Sequence, residues 1–171
     1  MRVYLTGFMG SGKTQVGAGL ARLLSYPFVD LDEVLVDLHS LTISEQFERF
    51  GEPAFRERER DVLLQTASMQ QAVFACGGGT PCFFDNMKWM NLHGLTIFLD
   101  VPTSILADRL LPEMTKRPLL QALSADTLPQ YINRKMQERL PYYRQAQLTV
   151  PATLPVPALC EHIYQQLLQR F

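Results

Sequence analysis

Hydrophobic residues along this chain alternate between short continuous runs and longer stretches in which apolar positions recur every three or four residues, the spacings of buried strands and of amphipathic helices. The run from Arg2 to Thr6 reads as a strand. A glycine-rich turn and a helix from about Lys13 to Leu24 follow it, with Val16, Leu20, Leu23 and Leu24 as the apolar positions. A second short strand, Pro27 to Asp30, precedes a helix from Leu31 to His39. Thr42-Ile43-Ser44-Glu45 has the form of a capping box and predicts another helix, stopped by Gly51, and Pro53 suits the first turn of one more, running to about Met69. Ala72 to Cys76 reads as a buried strand that ends in Gly77-Gly78-Gly79, after which Phe84 to His93 is helical and Gly94 ends it. Leu95 to Val101 is a further strand and Thr103 to Leu111 a short helix. Pro112 to Ala125 keeps no period and predicts a mobile loop. A long helix from about Thr127 to Ala146, kinked at Pro141, leads to a fifth strand at Leu148 to Val150 and a closing helix from Ala158 to Phe171.

Strands alternating with helices predict an α/β fold: three layers, a central five-stranded parallel sheet flanked by helices, and a mobile lid loop. In such sheets ligands bind outside the carboxyl ends of the strands, which directs attention to Gly7 to Thr14, Asp30 to Asp32, Gly77 to Gly79, and Asp100. Composition sharpens this. With 171 residues, 47% of them hydrophobic, the chain makes one domain, residues 1–171, without room for a separate substrate domain. Its 16 Lys+Arg nearly balance 17 Asp+Glu, and the net charge of -1 supplies no global field to hold nucleic acid or an anionic membrane. No apolar run approaches the roughly 18 residues of a spanning helix, and MRVYLTGFMG lacks the pattern of a signal peptide, so a soluble cytoplasmic protein is expected. Cys76, Cys82 and Cys160 form no C-x-x-C pair; they predict reduced, packed thiols and neither zinc nor disulfides.

Gly7-Phe8-Met9-Gly10-Ser11-Gly12-Lys13-Thr14 matches G-x-x-x-x-G-K-[ST] between a predicted strand and a predicted helix. Backbone N–H groups of such a loop wrap a polyphosphate at the helix N-terminus. Gly10, Ser11, Gly12, Lys13, Thr14 and Gln15 are therefore the candidate nucleotide contacts, with Lys13 on the β and γ phosphates and the Thr14 hydroxyl on Mg2+. The alternative is an ordinary glycine turn. The loop itself does not separate a small-molecule kinase from a switch GTPase or a nucleotide-gated module, but no N-K-x-D segment is present to read guanine, and the small size favours a kinase of metabolites or nucleotides.

Asp30-Leu31-Asp32 places two carboxylates beside that loop, one suited to a metal-bound water and the other to accepting a proton from an attacking hydroxyl. Read without function, Asp32 caps the helix starting near Glu33. The run Phe55 to Arg60 carries charges at helical spacing and reads as a solvated face with internal ion pairs, the reading preferred for Arg58 and Arg60.

Arg56-x-x-Glu59-x-x-x-Leu63, followed after nine residues by Val73-Phe74-Ala75-Cys76-Gly77-Gly78-Gly79, resembles the signature region of shikimate kinases. GFMGSGKT, FVDLDEVL, Arg117-Pro118-Leu119-Leu120 and Arg139-x-Pro141-x-Tyr143 extend the likeness, in order, to about residue 146. The resemblance implies phosphorylation of the 3-hydroxyl of shikimate by ATP, a step toward chorismate and the aromatic amino acids. It assigns Asp32 to the substrate hydroxyls and the role of base, and Asp30 to Mg2+ through water. Arg56 and Arg139 grip the substrate carboxylate, Gly78 and Gly79 offer backbone donors, and Glu59 orients this shell. Arg117 is the lid arginine that reaches the phosphates, and Arg109 lies against the adenine. Residues 31–69 become an acceptor-binding helical insertion and 112–125 the lid. The expected partners are ATP and shikimate, with Mg2+ as cofactor, in a monomer that binds neither nucleic acid nor membrane.

This chemistry agrees with the residue types, since a small carboxylated triol needs a planar bidentate cation and hydroxyl acceptors. Three glycines in a row let a ring approach the backbone closely. The sequence departs from the family at Thr80-Pro81-Cys82, where a hydrophobic residue is common, at Met87 in place of an arginine, and at Val150 to Pro155, which lacks the usual Asp-Thr and basic residue of the adenine loop. Altered ATP affinity is expected from the last. The rivals are a gluconate kinase and a nucleotide-binding regulatory module without turnover.

Overall fold

In a computed structural model that describes residues 1–117 and 119–170, five parallel strands form one sheet in the order β2-β3-β1-β4-β5. They are β1 (Arg2–Thr6), β2 (Phe28–Asp30), β3 (Ala72–Ala75), β4 (Leu95–Asp100) and β5 (Leu148–Pro151). The helices are α1 (Lys13–Leu24), α2 (Leu31–His39), α3 (Ile43–Gln65), α4 (Asn86–His93), α5 (Thr103–Leu110), α6 (Leu128–Tyr143) and α7 (Val156–Arg170). The five-stranded parallel α/β architecture is the expected one.

β1 shows why both faces are covered. Val3 and Leu5 enter one core with Val16 and Leu20 of α1, Ile97 and Leu99 of β4 and Ile163 of α7, whereas Tyr4 enters a second core with Leu31 and Leu35 of α2, Phe55 and Leu63 of α3 and Met90 of α4. Alternate side chains of a strand leave opposite faces, so a central strand must be apolar on both. Leu5 pairs in register with Ala75 on one side and Ile97 on the other. The chain leaves β1 to cross over β3 to β2, then leaves β3 to cross over β1 to β4, and the crevice where those connections part lies at the carboxyl ends of β1, β2 and β3.

The differences from the sequence reading lie at helix ends. The capping box forms as expected, Glu45 N–H donating to Thr42 Oγ1 at 3.2 Å and Thr42 N–H to Glu45 Oε2 at 2.8 Å. Gly51 (φ 76°, ψ 169°) breaks the helix, but Pro53 starts a new turn at once, so two helices abut without a loop. The second ends at Gln65, and a 3-10 turn, Thr66–Ser68, completes it. A 3-10 turn at Thr80–Cys82 delays α4 to Asn86. α6 runs through Pro141 and stops at Tyr143, short of Ala146; Pro141 sits in its last turn, where it removes one helical N–H donor. α7 begins at Val156; Phe171, the expected last residue, lies outside the described residues. The segment expected to be a loop opens with a 3-10 turn, Leu111–Lys116, and is pinned by the fully buried Leu120; Pro118 lies outside the described residues. Among the described residues no helix is long and apolar enough to cross a membrane.

Candidate active site

The loop after β1 folds back over a lysine. Gly12 caps α1 in the left-handed region (φ 91°), which a glycine adopts without strain. Lys13 Nζ donates to Gly7 O at 3.0 Å and Phe8 O at 2.9 Å, carbonyls of its own loop. Burial lowers its pKa to about 8 against the opposing pull of Asp32. A half-buried ammonium whose partners are two carbonyls and, at 3.4 Å, the Ser11 hydroxyl, with no carboxylate among them, at the positive end of a helix, is prepared for an anion. Gly10, Ser11, Gly12, Lys13, Thr14 and Gln15 line one cleft of about 550 Å³, joined by Arg109, whose Nη1 donates to Gly10 O at 3.1 Å. Ala152, Leu154, Val156 and Leu159 form its apolar end, so the atypical segment after β5 contributes apolar side chains and no charge.

Thr14 Oγ1 donates to Asp30 Oδ2 at 2.7 Å, while Asp30 Oδ1 accepts from Asp32 N–H at 3.0 Å. Asp30, and not Asp32, is thus the cap of α2. That leaves the Asp32 carboxylate free to face the cleft. Burial, with Glu59 and Asp30 adding repulsion, raises its pKa to about 6 against the attraction of Lys13 and Arg56. The hydroxyl of Thr14 and the carboxylate of Asp30 make a hard, all-oxygen pair, a donor set that suits a small divalent cation held mainly by phosphates and water. No group of three or more His, Cys, Asp or Glu side chains that could cage a metal occurs among the described residues.

Asp32 also borders a second chamber, of about 220 Å³, with Arg56, Glu59, Gly78, Gly79 and Arg139. Arg56 is held on every side. Its Nη1 donates to Glu59 at 2.9 Å and its Nη2 and Nε to Glu52 at 2.9 and 3.2 Å. The ring of Phe83 lies 4.3 Å from the guanidinium carbon, and a Cβ on Gly79 would come within 2.4 Å of Nη1. Only hydrogen at position 79 leaves room for that guanidinium. Glu59 is buried and uses its other oxygen to accept from Thr80 Oγ1 at 2.7 Å. Arg139, from α6, is 7% exposed and its Nη1 has no hydrogen-bond partner among the described residues. A buried, unpaired guanidinium donor is costly unless a ligand completes it. Arg117 donates from Nε and Nη2 to Glu113 at 3.1 and 2.7 Å and lines both cavities, as do Met9, Asp32 and Gly78. Cleft and chamber are therefore adjacent, with Met9, Asp32, Gly78 and Arg117 on the border they share.

Every residue given a role at the site from the sequence borders the cleft or the chamber. Asp100 does not: its carbonyl accepts from Ala152 N–H at 2.8 Å and ties the segment after β5 to the sheet. Arg58 and Arg60 are not members of a solvated ion-paired face. Arg58 stacks on Phe50 at 3.9 Å, and Arg60 reaches across to Asp85 at 2.5 Å and Asn86 at 2.7 Å. Sequence reasoning missed Glu52 and Phe83 as partners of Arg56. Glu52 stands four residues before Arg56, a spacing at which opposite charges on a helix meet; nothing in the sequence marks Phe83.

The chain matches the family model described as shikimate kinase over residues 9–170. It is 44% identical over 146 residues to a shikimate kinase of Bacteroides fragilis, an alignment covering 85% of this chain and 82% of that one. Among solved structures, a shikimate kinase from Bacteroides thetaiotaomicron superposes with a TM-score of 0.91 at 38% identity, covering 99% and 98% of the two chains. A shikimate kinase from Acinetobacter baumannii in complex with shikimate gives a TM-score of 0.91 at 33% identity, covering 99% and 93%.

Proposed function

The chain belongs to the shikimate kinase family, and from that premise we propose that it transfers the γ-phosphoryl group of ATP to the 3-hydroxyl of shikimate, giving shikimate 3-phosphate and ADP. This places it on the route to chorismate and the aromatic amino acids. The observation that carries the reading is the orphaned, buried Nη1 of Arg139 in a chamber that shares Asp32 with the cleft of the phosphate loop. A small carboxylate completes Arg139, and its hydroxyls meet Asp32.

In this reading Arg56 and Arg139 hold the carboxylate, Glu59 and Glu52 orient Arg56, and backbone N–H groups of Gly78 and Gly79 contact the ring substituents. Held there, the 3-hydroxyl points at the phosphate loop. The Asp32 carboxylate accepts its proton as the new O–P bond forms and the bond from the γ-phosphorus to the bridging oxygen of ADP breaks. Gly10, Ser11, Gly12, Lys13, Thr14 and Gln15 hold the nucleotide, Arg109 lies against the adenine, and Arg117, on the lid at 112–125, reaches the phosphates. Thr14 directly and Asp30 through water would hold Mg2+, which supplies neutralisation of phosphate charge. Residues 31–69 form the acceptor-binding insertion. All of these groups come from one chain, which supports action as a monomer.

A coupled assay tests the function: with Mg2+ and ATP, ADP release depends on shikimate and not on gluconate. Absence of shikimate-dependent ADP would sink the reading. A second expectation concerns the clamp. Arg56→Lys keeps the charge but cannot satisfy Glu52 and Glu59 together or fill the slot between Phe83 and Gly79. Its shikimate KM should rise by about tenfold or more, the cost of a lost bidentate charge-assisted pair, while its ATP KM stays within about twofold. Steady-state kinetics with each substrate varied in turn decides it; equal rises in both constants would remove Arg56 from the acceptor clamp.

A further inference from the structure

The turn after β3 has its carbonyls engaged one after another. Thr80 N–H donates to Gly77 O at 3.1 Å, Cys82 N–H to Gly79 O at 2.9 Å, and Asn86 Nδ2 to Thr80 O at 2.9 Å. The remaining carbonyl, Gly78 O, accepts from the hydroxyl of Tyr143 at 2.5 Å, reaching in from the last turn of α6. Among the described residues, no protein acceptor takes the N–H of Gly78 or Gly79. A backbone segment whose acceptors are satisfied and whose donors are open presents itself to an oxygen ligand.

No peptide bond in the described chain is cis, so Gly78 O and Gly79 N–H lie in one planar unit and point in opposite directions. Fixing the first aims the second. Gly78 and Gly79 border the acceptor chamber, whereas Tyr143 stands behind them, fully buried, its ring stacked on Phe98 with centroids 5.1 Å apart. A ring so packed has little freedom to turn its hydroxyl elsewhere. Tyr143 also lies one helical turn after Arg139, on the same face of α6.

We propose that Tyr143 is a positioning residue for the acceptor: its hydroxyl fixes the Gly78–Gly79 peptide so that the Gly79 N–H donates to an oxygen of the bound substrate. Because Arg139 shares its helix, the same contact sets the distance between that donor and the carboxylate clamp. The inference rests on reading the chamber as the shikimate site.

Tyr143→Phe keeps the ring on Phe98 and removes only the hydroxyl. Its shikimate KM, and its Kd by titration calorimetry, should rise about tenfold, with kcat within about threefold and ATP KM within about twofold of the parent. An unchanged shikimate KM in the folded variant overturns the proposal, as do matching rises in the KM of both substrates, which a merely loosened structure would produce. In the parent enzyme the Gly79 amide resonance should move when shikimate is added and stay in place with ATP alone. An unmoved Gly79 amide under saturating shikimate overturns the proposal even if Tyr143→Phe does not fold. A parent without shikimate-dependent turnover defeats the functional reading itself; with an active parent, only the Tyr143 and Gly79 results decide.

Discussion

Asp32→Asn should lower kcat by about 10²- to 10⁴-fold, the usual worth of a positioned general base, while making the folded protein more stable at neutral pH. Both effects have one origin. Asp32 does not cap α2, because Asp30 does, and its carboxylate sits beside Glu59 and Asp30 in a site that burial leaves poorly solvated. These raise its folded pKa to about 6 from an ordinary 3.8. Between those values the folded state binds more protons than the unfolded state, so stability is lost as pH rises from about 4 through 6. Above pH 6 the charged carboxylate is a standing cost. The full shift corresponds to about 3 kcal/mol, and partial contact with water reduces it to about 1–2 kcal/mol. Asn is isosteric and neutral, so urea unfolding at pH 7.5 should show that gain. A kcat within about threefold of the parent would mean that the hydroxyl proton leaves by another route.

The same shifts set the pH dependence of the parent. kcat/KM for shikimate should fall about tenfold per pH unit below pH 6, where Asp32 is protonated and cannot accept. Lys13 works in the opposite direction. Its folded pKa of about 8 lies below the ordinary 10.5, so above pH 8 the free enzyme loses the cation proposed to receive the phosphates, and kcat/KM for ATP should decline there. In Asp32→Asn the acid limb disappears and the alkaline limb remains.

How much of this was legible depends on what each feature requires. The parallel sheet covered on both faces followed from apolar runs separated by helical spacings, because central strands such as β1 must bury both faces; the order of its strands did not, since it depends on which crossovers pass over which neighbours. The phosphate loop was legible because its glycines are forced by geometry, with Gly12 at φ 91°. The acceptor clamp was not legible from charge. Arg56 and Glu59 have the spacing of a solvated ion pair, and the resemblance marked them as site residues. A signal was present nonetheless: Phe55, Arg56, Glu59, Val62 and Leu63 form the buried stripe of α3, so the two charges fall on an apolar face. Arg60 looked equivalent and instead bridges to Asp85 and Asn86, a contact that depends on where the turn before α4 lies. The Tyr143 contact joins residues 65 positions apart, and no local pattern encodes it.

Arg117→Ala should cost kcat about 10³-fold or more, with little change in the KM for shikimate and little change in stability. Among the described cations only Arg117 lines both the cleft and the chamber, which in the proposed reaction puts its charge where the phosphoryl group passes from one to the other. An arginine supplied to that point within the same chain stabilises the spread charge of the transition state, worth about 10³ to 10⁵ in rate. Its ground-state partner is Glu113, about half exposed and four residues earlier, an ion pair worth about 0–1 kcal/mol at most. Giving up that partner for the phosphates is therefore inexpensive, and losing it changes the melting temperature little. The backbone holds the side chain in reach: Leu120 N–H donates to Arg117 O at 2.9 Å, and Leu120 is fully buried in the core. Arg117→Lys keeps a charge without the planar fork and should recover only part of the loss. Single-turnover kinetics separates the possibilities. A slow chemical step with normal ATP affinity places Arg117 in the transition state, whereas weakened ATP binding at unchanged kcat would confine it to holding the nucleotide.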